Sequence, residues 1–299
     1  MSDRLDVRKT YKLYIGGAFP RSESGRTYVV ADAKGRFAAN AAQASRKDAR
    51  DAVSAARKAF AGWSGRTAYN RGQILYRIAE MLEGRRDQFV GELRRAGRLW
   101  GDDPPHPPKR PSVSKSEAAD EVDAAVDRWV WYAGWADKLA AVTGAANPVS
   151  GPFFNFSTPE PAGVVAVVAP DSPLLGLVAV VAPVIVSGNT CVVVASEPAP
   201  LPSITLAEVL ATSDLPGGVV NILTGRRAEI APWLASHMDV NAIDLAGVGA
   251  DDVADLESKA AENLKRVLRP GTTDWSGDPG TARMTAFLET KTVWHPVGV

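Results

Sequence analysis

The chain has 299 residues, 45% hydrophobic and 23% charged, enough to bury roughly 75% of its unfolded surface in one large or two modest domains. Lys+Arg 34 balance Asp+Glu 34, so no basic excess points to nucleic acid and no polybasic tail to a membrane surface. One cysteine, Cys191, excludes an intrachain disulfide or a thiolate cluster, and three scattered histidines (His106, His237, His295) argue against a metal site. The expected compartment is the reducing cytoplasm.

In chain order, residues 1–9 have no apolar core, so no secretory signal is expected. Residues 14–30 carry Gly16-Gly17 and Ser24-Gly25 between β-rich runs and suggest a hairpin or two. Ser45 opens a helix with Asp48 completing a capping box, and Ala49, Ala52, Val53, Ala56, Phe60 and Trp63 form its apolar face. A second helix is predicted over 70–90, burying Ile74, Leu75, Ile78, Leu82 and Phe89. A third over 116–139 buries Val122, Val126, Trp129 and Ala133, while Trp129, Trp131 and Trp135 read as core or interface packing. The proline-rich stretch 101–111 between these helices fits neither helix nor sheet and reads as an exposed loop.

From Gly163 the pattern changes. Apolar strands at 164–169, 191–195, 219–223 and 240–246 alternate with helices from 173, at 204–212, at 228–236 and at 250–267. That alternation predicts an α/β fold, a doubly wound parallel sheet covered on both faces. The apolar run 162–186 is cut by Pro170-Asp-Ser-Pro173 and falls short of the about 20 residues of a membrane span. Gly247-Val-Gly249 supplies two of the three glycines of a dinucleotide fingerprint, a weak signal alone. After Pro270 come a polar Gly/Pro-rich stretch and a last β-rich segment, 290–295.

Longer stretches, taken together, carry a resemblance. They are Tyr14-Ile-Gly-Gly-Ala-Phe19, the helix ending in Trp63, Tyr132-Ala-Gly-Trp-Ala-Asp-Lys138, Glu160-Pro-Ala-Gly-Val164, Gly188-Asn-Thr190, Leu215-Pro-Gly-Gly-Val-Val-Asn221, Ala261-Glu-Asn-Leu-Lys-Arg-Val267 and Glu289-Thr-Lys-Thr-Val-Trp294. In this order they resemble the aldehyde dehydrogenase superfamily over nearly the whole chain. The resemblance implies a Rossmann-like cofactor domain (1–139 and 160–270) and a small β oligomerisation subdomain (140–159 and 285–299).

The departures shape the functional expectation. In the family the stretch resembling Asn263-Leu-Lys-Arg-Val267 leads into a catalytic domain with a nucleophilic cysteine and a general-base glutamate. Here Leu268-Arg-Pro-Gly-Thr272 leads almost directly to the tail, so that domain is expected to be absent. Cys191 opens an all-apolar strand, where a free cysteine serves as a small hydrophobe. The family's Pro-Trp-Asn-Phe-Pro, whose asparagine assists the oxyanion, is replaced by Pro170-Asp-Ser-Pro173, and Asp171 has the wrong sign for that task.

The resemblance places nucleotide binding at Glu197, Gly225 and Gly247, but only as a vestige. Val194 stands where the family has a ribose-binding lysine, and Asp251 and Asp252 open the phosphate-binding helix. Two carboxylates about 4 Å from a phosphate cost up to a few kcal/mol, and the lost lysine about 1.5–3 kcal/mol more. Roughly 5 kcal/mol is three to four decades of affinity. Glu197 then reads as a solvated carboxylate, Gly225 and Gly247 as turn glycines, and Arg226 and Arg227 as a solvated helix start. No catalytic residue, no metal, and neither NAD nor NADP is expected.

The functional expectation is a non-catalytic subunit, structural or regulatory, that forms a hetero-oligomer with a full-length aldehyde dehydrogenase through residues 290–296. Neither nucleic acid nor membrane is expected as a partner. The rival is an NAD(P)-dependent aldehyde oxidoreductase with an unrecognised active site; a decayed gene product is a third possibility.

Overall fold

A computed structural model describes residues 9–97, 109–271 and 274–298. The N-terminal part holds β1 (Thr10–Tyr11), β2 (Thr27–Ala31) and β3 (Phe37–Ala42), then α1 (Arg46–Ser64), α2 (Ala68–Glu83), α3 (Arg86–Ala96) and α4 (Lys115–Trp135). After a short α5 (Leu139–Thr143) come β4 (Ala145–Asn147) and β5 (Phe153–Pro161). The α/β part runs β6 (Val164–Val168), α6 (Leu175–Val186), β7 (Thr190–Val194), α7 (Leu201–Leu210), β8 (Val220–Leu223), α8 (Arg227–Ser236), β9 (Ala242–Asp244), α9 (Ala250–Ala261) and β10 (Arg266–Leu268). A single turn, α10 (Ala282–Thr285), leads to β11 (Leu288–Pro296).

The parallel sheet has the order β10-β9-β6-β7-β8. The chain reverses direction across the sheet between β6 and β9, and in such folds the crevice at that point, beyond the carboxyl ends of the strands, is the ligand site. Val164, Ala166, Val168, Val192 and Val194 pack toward α1, α8 and α9, while Val165, Val167, Cys191 and Val193 pack toward α6 and α7. Both faces are buried, which is why these strands read as unbroken apolar runs.

Ser45 caps α1 with the expected reciprocal box. The helix predicted over 70–90 is two helices, because Gly84 ends α2 and the chain restarts at Arg86; all five predicted core residues are buried. The third helix ends at Trp135, with Trp129 fully buried and Trp131 and Trp135 half-buried against the same core. One expectation holds in part and another needs correction. Gly16-Gly17 forms the expected tight turn, Ile15 and Ala18 exchanging backbone hydrogen bonds at 3.0 Å, whereas the longer hairpin, β2–β3, starts at Thr27 and turns at Asp32–Gly35. The helix predicted over 250–267 stops at Ala261, and Leu264, at φ 57°, turns the chain into a fifth parallel strand, β10. Beyond the Gly/Pro-rich stretch after Pro270, Met284 and Phe287 are buried in the main core. All but the last three residues of the proline-rich stretch 101–111 lie outside the described residues.

A separate three-stranded sheet, order β11-β5-β4, projects from the body. β11 pairs antiparallel with β5 at nine successive positions, from Leu288 opposite Pro161 to Pro296 opposite Phe153.

Candidate functional site

The site is built where the parallel strands end. Val168, Val194 and Leu223 lie side by side as the last paired residues of β6, β7 and β8. Three residues further along each chain segment come Asp171, Glu197 and Arg226, in the turns that follow these strands. Arg227 then begins α8.

These groups bind one another. Arg226 pairs with Glu197 and lies over the Tyr28 ring, 5.6 Å from its centre. The other oxygen of Glu197 accepts from the backbone N–H of Arg227 at 3.2 Å, so a carboxylate from β7 occupies the start of α8. Burial, followed by the charge of Glu197, drives the Tyr28 phenol far above its ordinary range.

Arg227 reaches across the switch point. It pairs with Asp171, and its other donors meet the carbonyls of Ala169 and Gly247, each at 3.0 Å. Ser196 donates to Asp171 at 2.8 Å. One guanidinium thus ties together the ends of β6 and β9 and, through Ser196, β7. Gly247 must be glycine because a Cβ there would stand 2.0 Å from the Ala169 carbonyl oxygen. Gly225, at φ 145°, would set a Cβ 3.0 Å from the Ala44 amide nitrogen. Both glycines serve turn geometry, as expected.

Two expectations fail here. Glu197 is not a solvated carboxylate, because its side chain is only 12% exposed and is bound by Arg226 and α8. Nor are Arg226 and Arg227 a solvated helix start; at 22% side-chain exposure Arg227 is the hub of the crevice. Asp171 does not stand as an isolated negative charge either, since Arg227 neutralises it.

The start of α6 is likewise occupied. Glu121 of α4 accepts from the backbone N–H groups of Leu174 and Leu175, both at 3.3 Å, and so caps α6 from outside; burial raises its pKa. Asp251 and Asp252 stand on the first turn of α9. Beside Arg227 a cleft of about 350 Å³ remains between α8 and α9, walled by Val168, Ala231, Pro232, Val248 and Leu256, with Asp252 at its rim. Cys191 lies elsewhere, fully buried within β7, and burial drives its thiol far above the ordinary range. Among the described residues no three His, Cys, Asp or Glu side chains gather closely enough to hold a metal ion. Among the same residues no helix is long and apolar enough to cross a membrane.

The profile of the Aldehyde dehydrogenase family matches residues 19–102 and 109–269. The chain belongs to that family. It is 31% identical over 266 residues to aldehyde dehydrogenase, cytosolic 1, of Elephantulus edwardii, covering 86% of this chain and 49% of that protein. It is 32% identical over 270 residues to human retinal dehydrogenase 2, covering 88% of this chain and 48% of that protein. Among solved structures it resembles the NAD+ complex of an aldehyde dehydrogenase from Bacillus cereus, with a TM-score of 0.77 and 25% identity, over 87% of this chain and 50% of that one. The chain spans about half the length of the curated relatives it matches.

Proposed function

We propose that this aldehyde dehydrogenase family member is non-catalytic, a structural or regulatory subunit of the cytoplasm that assembles with a full-length aldehyde dehydrogenase. The observation that carries this reading is a crevice whose charged groups bind one another. A dinucleotide there would need free N–H groups and positive charge for its diphosphate and a free carboxylate for its ribose. The residues present do not suit it. Arg227 is consumed by Asp171 and two carbonyls, Glu197 by Arg226 and α8, Val194 carries no charge, and Asp252 faces the remaining cleft. Cys191, sealed inside a strand, offers no nucleophile.

Assembly is supported by β11. Among the described residues its outer edge pairs with no other strand, and Trp294 beside it is 58% exposed. Such an edge of nine residues is a ready template for β-addition. Capture of the chain from its native host should bring a full-length aldehyde dehydrogenase with it, and deletion from Thr290 onward should release that partner in size-exclusion chromatography. A soluble, monodisperse homodimer that captures no dehydrogenase would contradict the reading. NADH formed from NAD and a common aldehyde, and abolished by Cys191→Ala, would establish the rival reading, an enzyme.

A further inference from the structure

Residues 274–287 lie outside the stretch that matches the family and cross from α4 to β9. Arg128 of α4 holds the leading part, donating to the carbonyls of Trp275 and Gly277, each at 2.8 Å. At the trailing end, the Phe287 carbonyl accepts from Ala162 N and from Asn189 Nδ2, each at 3.0 Å. Between them Arg283 stacks over the Trp275 ring, 5.2 Å from its centre, and pairs with Asp244.

Asp244 is the last residue of β9, an inner strand between β10 and β6, and its side chain is 1% exposed. Its neighbours on the flanking strands, Val167 and Leu268, carry no charge. From α10 it faces Arg283. From α4 the Tyr132 phenol faces it, pushed up to about 12 chiefly by burial, with Arg128 beside that phenol. Beyond Arg283, Asp244 accepts from Ala246 N at 3.0 Å. Two partners leave much of an ionised carboxylate's acceptor capacity unmet, and a buried pair of this kind can cost more in desolvation than it returns in attraction.

We infer that residues 274–287 form a proton-locked strap, held most firmly when Asp244 is neutral and loosened when it ionises. Closing the strap takes the carboxyl out of water, whereas opening it returns Asp244 to solvent and removes Arg283. The closed state therefore binds the proton more tightly, and mass action makes acid favour closure. The balance of burial against Arg283 fits this direction, holding Asp244 at about 6. Closure then weakens as pH rises toward that value and changes little above it.

Amide exchange of the 274–287 segment in the full chain, corrected for intrinsic chemistry, tests this. From about pH 7.5 to about pH 5, protection should rise about tenfold, the change expected for one proton over one unit below the midpoint. Asp244→Asn keeps the shape and an oxygen for Arg283 without the charge; it should show the acid-level protection at both pH values. Arg283→Met should loosen the strap at both. Equal wild-type protection at the two pH values would overturn the proposal, as would equal changes in β6 and β7 amides. So would loss of protection in Asp244→Asn, which would make the pair an ordinary holding salt bridge. Should Asp244→Asn fail to fold, the wild-type profile and its break near 6 still decide.

Discussion

Two Asp–Arg pairs close the carboxyl end of the same parallel sheet, and they are built differently. Arg227 meets Asp171 and two backbone carbonyls, and Asp171 also receives Ser196, so both charges keep several partners near the surface. Asp244 has Arg283 and one backbone N–H, in a place almost without water. The same residue types therefore do opposite things: the first pair is a clamp because several neighbours meet each charge, whereas the second is a switch because burial outweighs its partner.

That contrast can be broken most severely at Arg227. Arg227→Met removes the bonds to Asp171, Ala169 and Gly247 and leaves a half-buried carboxylate without its cation. A loss of about 2–4 kcal/mol is expected, read as a lower urea midpoint at unchanged slope. A loss under about 0.5 kcal/mol would mean that the pair is only surface decoration.

At the second pair the sign reverses. The folded value for Asp244, about 6, lies above the ordinary 3.8, so the folded state binds the extra proton. The cost of ionising Asp244 is absent below the unfolded value, grows as pH rises between the two, and is complete above about 6. Asp244→Asn should therefore stabilise the chain at neutral pH, by no more than about 3 kcal/mol, with no gain below pH about 4. Chemical denaturation of both proteins across that range checks the crossing; destabilisation at neutral pH would contradict it.

Smaller effects separate the clamp from the cleft beside it. Val194→Lys, Asp251→Ala and Asp252→Ala together should leave NAD binding undetected while Arg227 stays in place. Adding Arg227→Ser should improve affinity by about tenfold or more, roughly one charge-assisted contact, measured calorimetrically. Full recovery from the triple change alone would show that Arg227 moves aside freely. Least of all should change at Cys191, whose buried thiol should stay inert to a thiol reagent until the chain unfolds.

The sheet was legible because its strands are buried on both faces and their helices alternate with them; β10 was missed because three residues, Arg266–Leu268, are too few to show a period. Gly247 and Gly225 were legible as turn glycines because their demand is local. Glu197, Arg226 and Arg227 were misread as solvated because their partners come from other strands, distant in sequence. A signal was nonetheless present: with β6, β7 and β8 adjacent and parallel, Asp171, Glu197 and Arg226 each follow the last paired residue by three. Strand order, which composition does not reveal, was the missing piece. The strap was invisible for the same reason, since nothing near Arg283 in the sequence points to Asp244.

The central claim is that this family member's nucleotide crevice is filled by its own charges. Calorimetric titration of the purified chain with NAD and with NADP tests it directly. The account predicts no binding heat at millimolar cofactor for either. A micromolar dissociation constant would show that Arg227 and Glu197 yield to the cofactor, and the claim would be wrong.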